Sequence, residues 1–375
     1  MAAVQAVLAS GKVNYWTGEE GQRFEEAFAG ATDRRYAVAL MNGTVALDIA
    51  LRALEIGPGD EVIVPSRTFV ATASCVVLLG ATPVFADVDP ASQNVTAETI
   101  AEVLSPRTKA IIVVHLAGWP CDMDPILELA RRHNLKVIED CAQAQGARYR
   151  GRPVGSFGDV GAFSFCQDKI MTTGGEGGML VMDDPLLWER SWSFKDHGKD
   201  YEEAFRQDHP PGYRWMHDTF GTNGRMTEMQ AAIGLVALPK VPQWLSRRRA
   251  NAEHLSARIS RIPALRVPAP RSFEEHAYYK FYVFVRTERL RPEWDRDRIM
   301  VAIEEEGIPC FTGSCSEVYE EKSFQRAGLA PRRRLTTSRV LGQTSLMFLV
   351  HPTLSISDMS DIADVVEKVM AEASW

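Results

Sequence analysis

KVIEDCAQAQGARYRGRPVGSFGDVGAFSFCQDKIMTTGGEGGMLVM (136–182) holds three apolar runs: KVIED (136–140), VGAFSF (160–165) and GGMLVM (177–182). Most of these runs, and of those before them in the chain, are nearly continuous in apolar residues, the pattern of a strand buried on both faces. Toward the N-terminus the same pattern recurs in YAVAL (36–40), EVIVPS (61–66), TPVFADVD (82–89) and AIIVVHL (110–116). Helical stretches lie between the early runs. The first is VALDIALRAL (45–54), stopped by Gly57-Pro58-Gly59-Asp60, and others cover about 68–79, 97–104 and 124–133. This alternation predicts an α/β fold with a mostly parallel, mixed sheet covered by helices. The last two runs follow each other too closely for a simple βαβ series.

The alternation ends near Asp184. Residues 195–224, rich in Gly, Pro, His and aromatic residues, read as a long loop. A helix resumes near Met226, with Thr227 and Gln230 at capping-box spacing, and is broken by Pro239 and Pro242. The division expected there separates a large unit, 1–240 with its N-terminal arm, from a smaller α+β unit, 241–375. The latter contains a helix (243–261), a strand (277–285), a helix (295–306), an irregular stretch (308–336) and a final helix (357–372).

The chain has 375 residues, 42 Lys and Arg against 49 Asp and Glu, and 45% hydrophobic residues. That composition excludes a disordered protein, and the net charge of −7 argues against a nucleic-acid binder. No apolar run is long enough to span a membrane. The N-terminus, MAAVQAVLASGKVNYW, lacks the basic start of a secretory signal. Six cysteines without a CxxC pair fit reduced thiols and predict a cytoplasmic protein with no metal site.

In an open α/β sheet ligands bind beyond the carboxyl ends of the strands. Asn42-Gly43-Thr44 follows the first strand, Phe69 the second, Asp140 and Gln143 the fifth, and Ser164 and Lys169 the sixth. Singly, each has an ordinary reading: a helix cap, a surface acid, a solvated lysine. Together they form an anion site at a helix N-terminus, an aromatic face, a carboxylate, and a hydroxyl followed by an amine. Pyridoxal phosphate needs that set for its phosphate, its ring, its ring nitrogen and its carbonyl.

Residues 137–180 resemble the central block of the DegT/DnrJ/EryC1/StrS aminotransferases, nucleotide-sugar enzymes of pyridoxal-phosphate fold type I. The resemblance extends to NGTVALDIALRAL (42–54), GDEVIVPSRTFVATASCVVLLGATPVFADVD (59–89), RTKAIIVVHLAGWPCDMDPI (107–126) and GTNGRMTEMQAAIG (221–234). It implies that Lys169 is the lysine that carries the cofactor and moves the proton. Asp140 would then face the ring nitrogen and Gln143 the ring hydroxyl, with Ser164, Gly43 and Thr44 at the phosphate and Phe69 stacked on the ring. Asn223 matches an asparagine that reaches the neighbouring subunit's phosphate, so the resemblance implies a homodimer with shared active sites.

The implied reaction moves an amino group, usually from glutamate, to a keto-sugar. The main class is a nucleotide-linked 3-keto- or 4-keto-deoxyhexose, for a surface polysaccharide or natural product. The chain departs from the family pattern at Gly224 and over 310–319. The second departure leaves an eight- or nine-carbon keto-sugar acid or a keto-cyclitol as the alternative substrate. Arg67, Lys195, His197, Arg225 and Lys280 are candidate contacts for a substrate anion, with Tyr319 and His351 as further substrate candidates. A sugar dehydratase of the same fold would carry histidine in place of Lys169, and a non-catalytic regulator would have lost Lys169, Asp140 or Ser164. A dehydrogenase would want GxGxxG where this chain has NGT.

Overall fold

The structure, a computed structural model, describes all 375 residues. The seven predicted runs form one sheet: β1 (Tyr36–Leu40), β2 (Glu61–Pro65), β3 (Thr82–Ala86), β4 (Thr108–Val114), β5 (Lys136–Asp140), β6 (Val160–Ser164) and β7 (Gly178–Met182). Their spatial order is β1-β7-β6-β5-β4-β2-β3. The pairs β2/β3, β2/β4, β4/β5 and β5/β6 are parallel, whereas β7 runs antiparallel to both β1 and β6. Six strands therefore point the same way, and their carboxyl ends share one edge. The close spacing of the last two runs is the β6–β7 reversal.

The N-terminal arm forms two helices, α1 (Ala2–Ser10) and α2 (Glu20–Ala31), ahead of β1. Phe28 of α2 packs its ring 4.9 Å from Phe163 and 5.3 Å from Phe165. A strand's period of two then turns Ser164 to the opposite face. Next come α3 (Gly43–Ala53) and α4 (Ala71–Leu78). The stretch expected as one loop, 195–224, contains a short helix, Tyr201–Phe205.

A helix, Val241–Ile259, leads into a three-stranded antiparallel sheet of Leu265–Arg266, Phe281–Val285 and Ser345–Phe348. The irregular stretch is more ordered than its sequence suggests, with a helix at Lys322–Ala327 and another starting at Thr336. It also turns back onto the large sheet. Tyr319 and Phe324 lie edge-on to Phe85 of β3, each 5.5 Å away, and Asp87 accepts the amides of Thr337 and Ser338.

β5 ends in two acids, and the pleat sends them to opposite faces. Glu139 is fully buried. Its Oε1 accepts the amides of Phe157 and Gly158, each at 2.7 Å, and its Oε2 accepts the Gly155 amide at 2.8 Å. His115 Nε2, 3.1 Å from Oε2, adds a fourth donor, because Nδ1 of that ring accepts the Cys121 amide. Burial pushes the Glu139 carboxyl up, but the His115 bond and the backbone amides outweigh it and hold it below its ordinary value. Its contribution to stability is therefore complete above the value of about 4.3 for an unfolded glutamate, and is lost as pH falls through the lower folded value. Glu139→Gln turns an amide N–H₂ toward N–H donors. It should cost about 3 kcal/mol in denaturant unfolding at pH 7 and reduce the acid-dependent part of the stability curve. Unchanged unfolding midpoints at pH 7 and pH 4 would show that this carboxylate does not anchor the sheet.

Candidate active site

The shared carboxyl edge opens into a cavity of about 800 Å³. Its lining includes Gly43, Thr44, Phe69, Asp140, Gln143, Ser164 and Lys169, so the structure brings together seven of the residues expected at the cofactor, and with them Lys280 of the substrate-anion candidates.

The anion end is built by close approach. Asn42 caps α3, its Oδ1 accepting the Val45 amide at 2.9 Å, which leaves the Gly43 and Thr44 amides at the first turn without intrahelical partners. A Cβ on Gly43 would stand 2.7 Å from Ser164 Cβ, and one on Gly178 would stand 2.3 Å from the Asn42 carbonyl oxygen. Two glycines thus let the β1–α3 turn, the end of β6 and the start of β7 converge, with amides, dipole and the Ser164 hydroxyl around one space. The glycine-rich run at 174–178 serves this approach through Gly178.

Asp140, 6% exposed, forms no ion pair closer than 4 Å. Its Oδ1 accepts the Ala142 amide at 3.1 Å and its Oδ2 the Thr72 hydroxyl at 2.9 Å. Burial pushes this carboxyl up, against those two bonds and the charge of Lys169. Gln143 spends its carbonyl on the Ala117 amide, at 2.8 Å, so its N–H₂ is the end free to donate. Phe69, at the entry to α4, is 64% exposed. Thr72 gave no signal in the sequence, because only its bond to Asp140 marks it.

Lys169 sits in the turn after β6 with its side chain 19% exposed. Its Nζ lies 3.4 Å from Tyr279 Oη and 3.6 Å from Asp168 Oδ1. Tyr279 and Lys280 reach the cavity from the C-terminal unit. The outer wall is Tyr282 with Phe311, Gly313, Ser314 and Cys315, so the first half of the departing segment 310–319 faces the cavity, whereas Val318 and Tyr319 at its end are in the core. Tyr282 Oη accepts the Ser314 amide at 2.8 Å.

The donors fit pyridoxal phosphate. First-turn amides and a hydroxyl suit the phosphate, and the buried carboxylate without a cation suits a protonated ring nitrogen. The amide donor suits a ring oxygen, and the amine suits the carbonyl.

Other candidates lie elsewhere. Lys195 is fully buried, its Nζ 3.1 Å from Glu25, and the ion pair explains its burial in place of a substrate contact. Arg225 pairs with Asp196 at 2.8 Å. Tyr319 is in the core, accepting the Leu335 amide and donating to Glu317. His197 and His351 are exposed outside the cavity lining, and His351 Nδ1 bonds Thr353 Oγ1 at 2.8 Å. Arg67, 1% exposed, lies behind Tyr282 with its guanidinium 5.6 Å from that ring; it donates to Gln93 and Ser345. Asn223 is exposed and outside its own chain's cavity lining, in a loop held by the Gly224 amide on the Lys195 carbonyl and the Met41 amide on the Gly224 carbonyl.

The model of the DegT/DnrJ/EryC1/StrS aminotransferase family matches residues 1–369. GDP-perosamine synthase of Caulobacter vibrioides is 46% identical over 250 residues, 66% of this chain and 64% of that protein. UDP-N-acetyl-3-dehydro-alpha-D-glucosamine 3-aminotransferase of Acidithiobacillus ferrooxidans is 37% identical over 94% of this chain and 89% of its own. The crystal structure of an aminotransferase from Psychrobacter cryohalolentis superposes with a TM-score of 0.96 at 55% identity, covering 99% of this chain and 96% of that one.

Gly43→Ala puts a methyl where Ser164 stands. Titration of the apoprotein with pyridoxal phosphate should show affinity at least about ten-fold weaker, the loss of one well-made anion contact. Affinity equal to that of the parent would mean the phosphate is held elsewhere.

Proposed function

The chain belongs to the DegT/DnrJ/EryC1/StrS aminotransferase family, and from that premise we propose that it moves an amino group from glutamate to a nucleotide-linked keto-sugar. The observation that carries this reading is the single cavity that joins the α3 N-terminus, the buried carboxylate of Asp140 and the amine of Lys169. Pyridoxal phosphate, the family's cofactor, supplies a carbonyl that takes up the amino group and a cationic ring that spreads the charge left on the substrate carbon. Gly43, Thr44 and Ser164 hold its phosphate end. Asp140 keeps the proton on its ring nitrogen, and Gln143 donates to its ring oxygen. Lys169 would hold its carbonyl and, as a free amine, would move the proton at the donor's α-carbon. Phe69 covers the ring.

The substrate reading leans on the nucleotide-sugar names of the two relatives. The wall at Phe311–Cys315 is where a keto-sugar would sit, and there the keto-sugar acid remains the second reading, because this is where the sequence leaves the family pattern. The lysine at 169 supports transamination over dehydration. We place the enzyme in the cytoplasm: all six cysteines are free, and no helix is long and apolar enough to cross a membrane. Its working form in this reading is a homodimer. Asn223 and the nearby Phe220, 98% exposed, face outward from a loop anchored at the end of β1.

Lys169→Ala should abolish turnover with glutamate and remove the visible band of the lysine-bound cofactor, read by absorbance. Retained turnover would refute the assignment. A panel of keto-sugars offered to the aminated enzyme, followed by return of that band, identifies the substrate class.

Asn223 is tested by complementation. The variants Lys169→Ala and Asn223→Asp, each inactive alone, are mixed under conditions of subunit exchange. A residue serving the partner's site leaves one intact site per mixed dimer, so up to half of the activity returns. No recovery despite proven exchange would place Asn223 outside a shared site. The aspartate is chosen because its charge repels phosphate.

A further inference from the structure

Residues 277–280 approach the catalytic turn from the far side of the chain, and their mounting is rigid. The Ala117 carbonyl accepts the Tyr279 amide at 2.9 Å, and the Gly118 carbonyl accepts the Ala277 amide at 2.8 Å. Arg248, itself 2% exposed, donates through Nη1 to the carbonyls of Tyr278 and Tyr279 at 3.2 and 3.3 Å. Tyr279 is 6% exposed, and its hydroxyl donates to Asp168 Oδ2. A phenol has one hydrogen. With that hydrogen committed to a carboxylate, Oη faces Lys169 Nζ, 3.4 Å away, only as an acceptor. Asp168 Oδ1 lies 3.6 Å from the same Nζ.

We propose that Tyr279, oriented by Asp168, is a positioning residue for Lys169. The proposal rests on the reading of Lys169 as the proton-moving lysine. In the free amine, Tyr279 Oη takes one N–H at hydrogen-bond distance, and Asp168 Oδ1, at ion-pair distance, draws a second to the same side. The remaining tetrahedral direction, a lone pair in the neutral amine and an N–H in the ammonium, points into the cavity, where the donor's α-carbon must lie. A flexible lysine, with four side-chain torsions, is thereby held in one proton-transfer geometry. The carboxylate is suited to this task. Burial pushes Asp168 up, but the Tyr279 bond and the charges of Lys169 and Lys280 outweigh it and keep it below its ordinary value, so it stays an acceptor.

Tyr279→Phe removes one oxygen and keeps the ring, which Nζ overlies at 4.9 Å from the centroid. In single-turnover measurements on the holoenzyme with glutamate, it should slow the amino-transfer step about ten- to hundred-fold, with the apparent glutamate Kd changed by less than about two-fold. The double variant with Asp168→Asn should be no slower than the slower single variant, because the two act as one unit. A second readout needs no cofactor. In the apoprotein, trinitrobenzenesulfonate should label Lys169 about five-fold faster in Asp168→Asn, because the amine loses its ion-pair partner and is freer to reach the reagent, and Asp168→Glu should restore slow labelling. Peptide mass spectrometry reads the site. A parental transfer rate in Tyr279→Phe, or parental labelling in Asp168→Asn, overturns the proposal. If Lys169→Ala is inactive while Tyr279→Phe is normal, positioning alone fails; if Lys169→Ala stays active, the functional reading fails first.

Discussion

The buried carboxylate of Glu139 is the constraint on which the cavity depends. A charge at that depth is tolerable only when its lone pairs are filled, and here three backbone amides and a histidine N–H fill them. The three amides belong to the segment entering β6, and the histidine follows β4, so one side chain ties together three adjacent strands. The same bonds fix the end of β5, where the next residue, Asp140, turns to the other face and into the cavity. A structural acid and a chemical acid are thus neighbours in sequence, separated by the pleat.

Small residues and borrowed residues complete the site in different ways. Gly43 and Gly178 act through what they lack, since a Cβ at either would occupy the space of Ser164 or the Asn42 carbonyl. Tyr279, Lys280 and Tyr282 are borrowed from the C-terminal unit. They are held against the sheet by the Ala117 and Gly118 carbonyls in a turn where Ala117 adopts a left-handed conformation, φ 57. That same turn gives its Ala117 amide to Gln143. Orientation of the Gln143 amide in the cavity and docking of the second unit therefore share one short piece of backbone.

The cations divide by burial and partner. Lys195 has Glu25 at ion-pair distance and Tyr15's ring 3.9 Å below it, which makes it a strut between α2 and the end of the helix Pro185–Lys195. Arg67 has no carboxylate within pairing distance, and burial pushes its guanidinium down. It rests on the carbonyl of Gln93, the Ser345 hydroxyl and the face of Tyr282. Lys169 and Lys280 alone among the lysines line the cavity.

The sequence by itself determined the α/β alternation, the reversal at the last two strands, and seven cavity residues, because each depends on local information: runs buried on both faces, a cap and glycine after a strand, a carboxylate at a strand's end. The resemblance of ordered motifs carried the cofactor. Only the tertiary structure decided what depends on distant partners. Lys195 reads as a free cation until Glu25 is placed against it, 170 residues away in the chain. Tyr319 reads as a substrate contact until the stretch after residue 308 folds back onto β3 and takes it into the core. Glu139 carries no signal in the sequence, and its role appears only when the loop to β6 surrounds it. Tyr279 is one aromatic among several in AYYKFYVFV, and its bond to Asp168, 111 residues away, exists only once the second unit docks. Periodicity reports which face a side chain takes, and only the assembled chain reports what it meets there.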